Sequence, residues 1–180
     1  HVVSPHQPSR TRACGVLCAG SEQVGRGGAR TDCALDGAAF ATCTRPENCT
    51  NLIDGSHTFR VRAIDTAGNV DATPATFTWV IDTVAPDTTI TSQPPNPTAS
   101  NNASIAFTGS DIGTGVASFE CQLDATGFVI CGSPAVYNNL ANGSHTFQVR
   151  SRDAAGNVDP TPASYTWTVD TAAPTASASG

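Results

Sequence analysis

An internal repeat with an offset of 88 residues is the feature that most limits what this chain can fold into. Residues 32–86 match residues 120–174 at 30 of 55 positions when the two stretches are aligned without gaps. This period is too long for a solenoid repeat and has the size of one small β-sandwich domain. The chain of 180 residues is therefore expected to contain two copies of one domain.

Alternation of apolar and polar side chains predicts strands in the second repeat. The apolar members of this alternation are Ile105, Phe107, Phe119, Cys121, Leu123, Phe147, Val149, Tyr165, Trp167 and Val169. A period of two places one set of side chains in the interior and the other in water. With short strands near 88–91, 127–131 and 135–138, the expected number is about seven. The pattern predicts an all-β fold of tandem immunoglobulin-like or fibronectin-III-like β-sandwiches.

The domain boundaries follow from Asp-Thr-x-Ala-Pro sequences that close both repeats. Proline cannot donate to a sheet ladder and favours extended geometry in the residue before it. We therefore expect a partial repeat at 32–86, a complete repeat at 87–174 and a linker at 175–180.

Residues 1–31 depart from the repeat, because they share almost nothing with residues 89–119. They lack alternation and are rich in Arg, Gly, Ala and Cys, which predicts an atypical, poorly ordered segment. A shifted reading frame upstream of about residue 31 and a truly different N-terminal segment are both compatible with this pattern. In either case we expect a first repeat that is incomplete at its N-terminus, lacks its first strands and is the less stable half.

Two pairs of cysteines recur at a spacing of ten, which favours disulfides that staple hairpins. The expected pairs are Cys33 with Cys43 and Cys121 with Cys131. Closing so short a loop stabilises by about 2–3 kcal/mol in the chain-entropy model. Phe128 lies three residues before Cys131, so either its side chain is partly exposed or a bulge corrects the register.

The other cysteines do not form a metal motif. Cys14 and Cys18, together with Cys33 and His6, lack the second close pair that a zinc site needs. Cys49 aligns with Tyr137, so we expect it to be a small buried apolar residue.

Charge and hydropathy exclude two classes of function. The net charge is −6, made of +3 in residues 1–30 and −9 in residues 31–180. An acidic body lacks the cationic surface that nucleic-acid binding requires. No apolar run approaches the roughly 20 residues of a membrane helix. We therefore predict neither a nucleic-acid partner nor a membrane span in this chain.

The histidines of the repeats suggest a structural role rather than catalysis. His57 follows Ser56, and His145 follows Ser144, at the start of the same predicted strand. Neighbouring side chains of a strand point to opposite faces, so such a pair cannot form the geometry of a catalytic triad. No nucleophile elbow is present, and the sequence predicts that the chain is not an enzyme.

Recurring carboxylates leave calcium open as a cofactor. The repeated Asp-x-Ala-Gly-Asn-x-Asp sequence offers three oxygen-bearing side chains around a glycine, although it does not match the twelve-residue calcium loop. Turn chemistry is the favoured explanation, since Asp and Asn cap the backbone and Gly-Asn supplies positive φ. No cofactor is predicted otherwise. The calcium candidates are Asp65, Asp82, Asp153 and Asp170.

The second repeat resembles a bacterial immunoglobulin-like repeat family that occurs in tandem in large secreted or surface-anchored proteins. The resemblance rests on Phe119-Glu120-Cys121, Leu123-Asp124, Cys131, Ser133-Pro134, Tyr137, His145-Thr146-Phe147, Asp153, Ala155-Gly156-Asn157, Trp167 and Asp170-Thr171. It implies an extracellular or cell-surface fragment that acts as a spacer, stalk or adhesion module of a larger bacterial protein. The implied partners are neighbouring repeats of the same chain and an unknown surface ligand. Paired cysteines agree with an oxidising compartment.

An ancillary module of a secreted enzyme, with carbohydrate as its candidate ligand, is the alternative function. Such a module would present a row of exposed aromatic side chains on one face. Trp79 and Trp167 alternate with threonines and are predicted to be buried, which weakens this alternative.

Overall fold

The computed structural model describes residues 11–14, 30–44 and 47–176, and the regular elements in them are β-strands. The chain divides into two compact units, His1–Thr83 (unit 1) and Val84–Gly180 (unit 2). The strands of unit 1 are β1 (Thr11–Cys14), β2 (Arg30–Leu35), β3 (Ala41–Thr42), β4 (Glu47–Thr50), β5 (Gly55–Ile64) and β6 (Ala75–Ile81). The strands of unit 2 are β7 (Asp87–Ser92), β8 (Ala103–Ser110), β9 (Val116–Leu123), β10 (Val129–Cys131), β11 (Ala135–Tyr137), β12 (Gly143–Asp153) and β13 (Ala163–Val169).

Unit 2 is a seven-stranded β-sandwich, which confirms the predicted fold class. One sheet has the order β10-β9-β12-β13 and the other has the order β11-β8-β7. The strand pairs within both sheets are antiparallel. On β12, Phe147 lies opposite Leu123 of β9 and Tyr165 of β13. Among the described residues, no helix has the length and apolar character needed to span a membrane.

The core of unit 2 is formed by the inward set of each alternating strand. Trp167, Phe147, Val149 and Ile105 are 0% exposed. The ring centroids of Phe107 and Phe147 lie 6.1 Å apart, so the aromatic residues of the two sheets meet in the centre. Burial of each such side chain contributes about 1.5–3 kcal/mol.

A buried hydroxyl pair joins the two sheets of unit 2. Thr88 of β7 and Ser151 of β12 are 2.8 Å apart at their hydroxyl oxygens, and the Ser151 amide donates to the same Thr88 oxygen at 2.8 Å. Ser151 is 0% exposed, so water does not reach its amide and hydroxyl groups. Loss of the Thr88 hydroxyl would therefore leave these groups without a partner, which costs free energy. The 63-residue separation between the two residues puts this contact beyond any local sequence pattern.

We expect Thr88→Val to destabilise unit 2 by about 1–3 kcal/mol, because the change keeps the shape of the side chain but leaves the buried Ser151 amide without an acceptor. Chemical denaturation of both proteins measures the difference. Thr89→Val is the matched control, since Thr89 is exposed on the same strand and should change stability by less than about 0.5 kcal/mol. Equal losses in the two variants would contradict the assigned role.

Unit 1 repeats the four-stranded sheet, with the order β3-β2-β5-β6. Its core is a separate cluster in which Phe59, Val61, Trp79 and Ile81 are 3–8% exposed. The two units therefore have their own hydrophobic cores, as two copies of one domain require.

Strand β1 corrects one expectation about the N-terminal segment. The sequence predicted that the first repeat lacks its first strands, yet β1 lies in that segment and pairs antiparallel with β4 from Thr11↔Thr50 to Cys14↔Glu47. Backbone N–H and C=O groups make this ladder, so strand pairing does not require side-chain alternation. The expected poor order of residues 1–10 and 15–29 lies outside the described residues. Residues 30 and 31 belong to β2.

Candidate functional site

The two predicted hairpin disulfides are present. Cys33 is bonded to Cys43 with a Cα–Cα distance of 5.7 Å, and Cys121 is bonded to Cys131 with a distance of 5.8 Å. Cys49 is buried, as expected from its alignment, but it is also disulfide-bonded rather than a free thiol. The side chain of Cys14 and the whole of Cys18 lie outside the described residues.

The carboxylates of the repeated Asp-x-Ala-Gly-Asn sequence organise turns. In unit 2, Asp153 Oδ1 accepts hydrogen bonds from the amides of Gly156 at 2.6 Å and Asn157 at 2.7 Å. Asp153 Oδ2 accepts from Asn157 Nδ2 at 2.6 Å. Gly156 has a φ of 98°, a left-handed conformation that favours glycine. This is the turn chemistry that the sequence favoured.

Asp65 forms the corresponding turn in unit 1. Its Oδ1 atom accepts from the amides of Ala67 and Asn69, and its Oδ2 atom accepts from Asn69 Nδ2 at 2.7 Å. These hydrogen bonds, led by the Asn69 side chain, lower the pKa of the Asp65 carboxyl.

The remaining calcium candidates lie where the last strand of each unit ends. Asp82 follows β6 and is 3% exposed. Asp170 follows β13, is exposed, and accepts a hydrogen bond from the Ala172 amide at 3.0 Å. Calcium binding by Asp65, Asp82, Asp153 or Asp170 stays a prediction from the sequence.

The histidines have partners that the sequence analysis missed. His145 Nδ1 lies 2.7 Å from Asp124 Oδ2, and its Nε2 lies 2.8 Å from the Ala141 carbonyl oxygen. Asp124 also accepts from the Thr146 amide at 2.8 Å, which ties the turn after β9 to the start of β12. The available signal was that a Leu-Asp pair recurs at the 88-residue offset and precedes each histidine by 21 residues.

This geometry agrees with a structural role for the histidines. Both ring nitrogens of His145 contact oxygen acceptors, so neither nitrogen is oriented to activate Ser144. The imidazole also lies against Trp167, with ring centroids 5.7 Å apart.

The solvent face of the four-stranded sheet of unit 2 carries an arginine–aromatic cluster. The guanidinium of Arg150 lies 4.1 Å from the centre of the Phe128 ring, within the range of a cation–π interaction. Arg150 also pairs with Glu120 at 2.7 Å, and Arg152 reaches the same carboxylate at 3.3 Å. Arg150, followed by Arg152, holds the pKa of Glu120 below its usual value despite partial burial.

The same cluster shows whether Phe128 is partly exposed or whether a bulge corrects its register. The register of β10 against β9 is regular from Val129 to Cys131, and the Phe128 ring is half-buried beneath Arg150. The regular register therefore places Phe128 and Cys131 on different faces without a bulge in this hairpin, and the Phe128 side chain is partly exposed as a result. Unit 1 repeats the arrangement with Arg62 4.0 Å from the Phe40 ring centre.

The tryptophans do not form an exposed platform. Trp79 is 8% exposed and Trp167 is 0% exposed, as the alternation with threonines predicted. The large apolar side chains that are exposed in the described parts of the chain are aliphatic. They are Ile53, Val70, Val80, Val84, Ile112, Val129, Ile130 and Val136.

Comparison with known proteins shows a similarity to one curated protein and to one solved structure. No protein-family model matches the sequence. The chain is 33% identical over 191 residues to chitinase A1 of Niallia circulans, and the match covers 96% of this chain and 26% of the chitinase. It therefore spans about a quarter of that relative. Fibronectin(III)-like modules of CbhA from Clostridium thermocellum match with a TM-score of 0.46 and 17% identity, covering 78% of this chain and 77% of theirs.

Proposed function

We propose that this chain is a non-enzymatic spacer within a larger extracellular or cell-surface protein. The observation that carries the proposal is that each unit has its own buried core and its own hairpin disulfide. A domain built in this way keeps a fixed length without a ligand. Its disulfides suit the oxidising surroundings outside the cell.

Among the described residues, three side chains that could perform chemistry are held by neighbouring groups, which supports the non-enzymatic part of the proposal. His145 is held between a carboxylate and a carbonyl, and Glu120 is paired with Arg150. Asp153 accepts three hydrogen bonds from its own turn. These contacts stabilise the fold and leave these groups without a nucleophile–base geometry.

Single-molecule stretching of the whole chain tests the spacer role. We expect two separate unfolding events, one for each unit, because the two cores are distinct. The disulfide of unit 2 shields the ten-residue segment that it closes from the applied force. Reduction should therefore lengthen the unfolding step of unit 2 by about 30 Å, since an extended chain spans about 3.3–3.6 Å per residue.

A Cys121→Ala/Cys131→Ala chain is the matched control for this measurement. Its unfolding step for unit 2 should have the longer value before and after reduction. One cooperative unfolding event for the whole chain would contradict the proposal of two independent length-keeping units.

An ancillary module of a secreted enzyme is the second candidate function. The similarity to chitinase A1 raises this candidate but does not favour it over a spacer, because the match covers 26% of the chitinase. The solvent-facing cluster of Phe128 and Arg150 would then be the candidate contact for the polysaccharide. Sedimentation with insoluble chitin distinguishes the two functions. A spacer stays in solution, whereas saturable retention that is lost in Phe128→Ala would support the ancillary role.

A further inference from the structure

Among the described residues, each unit holds one buried histidine, and both nitrogens of its ring must carry a proton to make the hydrogen bonds around it. In unit 2, His145 is 8% exposed, and its two ring nitrogens face the Asp124 carboxylate at 2.7 Å and the Ala141 carbonyl at 2.8 Å. A carboxylate and a carbonyl can only accept hydrogen bonds, so both nitrogens must donate. The ring that makes both contacts is therefore an imidazolium.

Unit 1 contains the same arrangement at the corresponding positions. His57 is 5% exposed and lies 2.8 Å from Asp36 Oδ2 and 2.8 Å from the Ile53 carbonyl oxygen. Its ring centroid lies 5.6 Å from that of Trp79. Ile53 and Ala141 differ in side chain, so it is the backbone carbonyl that keeps the contact in both units.

The elements packed around His145 contribute one charged group. The turn after β9 contributes Asp124, β13 contributes the uncharged Trp167, and the loop before β12 contributes the Ala141 carbonyl. In the part of the chain that the structure describes, Asp124 is the charge that acts on the ring. Around His57, the turn after β2 contributes Asp36 in the same way.

We propose that these two histidines are alkaline-sensitive clamps that release the loop before β12, and the corresponding loop before β5, as the pH rises. The Nδ1 proton faces a carboxylate and is held by a charge-assisted hydrogen bond, so the proton that leaves is the one on Nε2. Its departure places a lone pair on Nε2 opposite the Ala141 carbonyl oxygen. The two acceptors repel each other, and the clamp opens at that contact.

The direction of the pH effect follows from the linkage between protonation and folding. The Ala141 carbonyl and Asp124 raise the pKa of His145 above 6.5, and Asp36 with the Ile53 carbonyl does the same for His57. The contribution of the histidine proton to each clamp is fully present just below about pH 6.5 and is lost as the pH rises through the folded pKa of the histidine. Burial raises the pKa of Asp124, but hydrogen bonds from His145 and Thr146 outweigh it and lower the pKa. The clamp therefore also weakens in strong acid, as the pH falls through that lowered value.

Nitrogen-15 NMR of the histidine rings in the intact chain tests the clamp directly. We expect both nitrogens of His57 and His145 to be protonated at about pH 6, with midpoints above those of the same residues in concentrated urea. At higher pH, Nε2 should lose its proton while Nδ1 keeps it. A midpoint at or below the urea value, or loss of the Nδ1 proton instead, would overturn the proposal.

Variants test whether the clamp controls stability. In a Trp79→Phe background, Trp167 fluorescence reports unit 2, whose unfolding midpoint in urea should fall between about pH 6 and about pH 9. His145→Gln should remove this fall from unit 2. In a Trp167→Phe background, the fluorescence of Trp79 reports unit 1 of the same His145→Gln chain. The urea midpoint of unit 1 should still decrease between about pH 6 and about pH 9. An unchanged fall in unit 2 would refute the clamp, and the NMR titration decides the matter if His145→Gln does not fold.

Discussion

Trp167→Ala is expected to destabilise unit 2 by about 3–5 kcal/mol, because it removes the largest fully buried side chain of this unit. Trp167 is 0% exposed and packs against Tyr165 and His145, with ring centroids 5.9 Å and 5.7 Å away. Its removal leaves a cavity that the surrounding strands cannot fill completely. Hydrogen exchange followed by mass spectrometry should show faster exchange in peptides of unit 2 and unchanged exchange in peptides of unit 1.

Trp167→Phe is the control for this prediction. The indole N–H of Trp167 has no acceptor among the described residues, so the change to Phe removes volume but no hydrogen bond. Its cost should be clearly smaller than that of Trp167→Ala. If exchange rose equally in both units of Trp167→Ala, the chain would have a single merged core rather than two.

Loss of the Cys121–Cys131 disulfide is expected to cost unit 2 about 2–3 kcal/mol. The bond closes a sequence separation of 10, and in the chain-entropy model its main effect is to restrict the unfolded chain. Urea denaturation of unit 2, followed through Trp167 fluorescence in a Trp79→Phe background before and after reduction, measures this term. Reduction also opens Cys33–Cys43 in unit 1, so the unfolding of unit 2 has to be followed separately. The Cys121→Ala/Cys131→Ala variant should lose at least as much, because Cys121 is 1% exposed and its sulfur also fills space in the core.

The first unit offers a matched comparison for the disulfide. Cys33–Cys43 closes the same separation of 10, so Cys33→Ala/Cys43→Ala should cost unit 1 a similar amount and leave unit 2 unchanged. A loss near zero in both units would mean that strand pairing already holds these hairpins together in the unfolded chain.

The features that could be predicted from the sequence are those with a local or repeating signature. The period-two alternation around Phe147 and Trp167 gave the strands and their inward faces. The spacing of ten gave both hairpin disulfides, and the Asp-x-Ala-Gly-Asn sequence gave the turns that Asp65 and Asp153 organise. These patterns are readable because each depends on residues that are close in the chain.

The features that could not be predicted depend on strand register and on residues far apart in the chain. Arg150 meets Phe128 and Glu120 only because β12 lies beside β9 in a particular register. Asp124 reaches His145 because the turn after β9 folds back toward the start of β12. Strand β1 pairs with β4 through backbone groups, for which the side chains give no signal in the sequence.

The amino-acid sequence by itself determined that the chain has two similar all-β units, which side chains face each interior, and which cysteines staple the hairpins. Only the tertiary structure decided which polar groups meet: Thr88 with Ser151 between the sheets, and each buried histidine with its aspartate and carbonyl. Hydrophobic periodicity shows only whether a side chain points into the core or into solvent. A hydrogen bond requires in addition that two particular atoms lie within about 3 Å of each other. That distance is set by the packing of whole sheets.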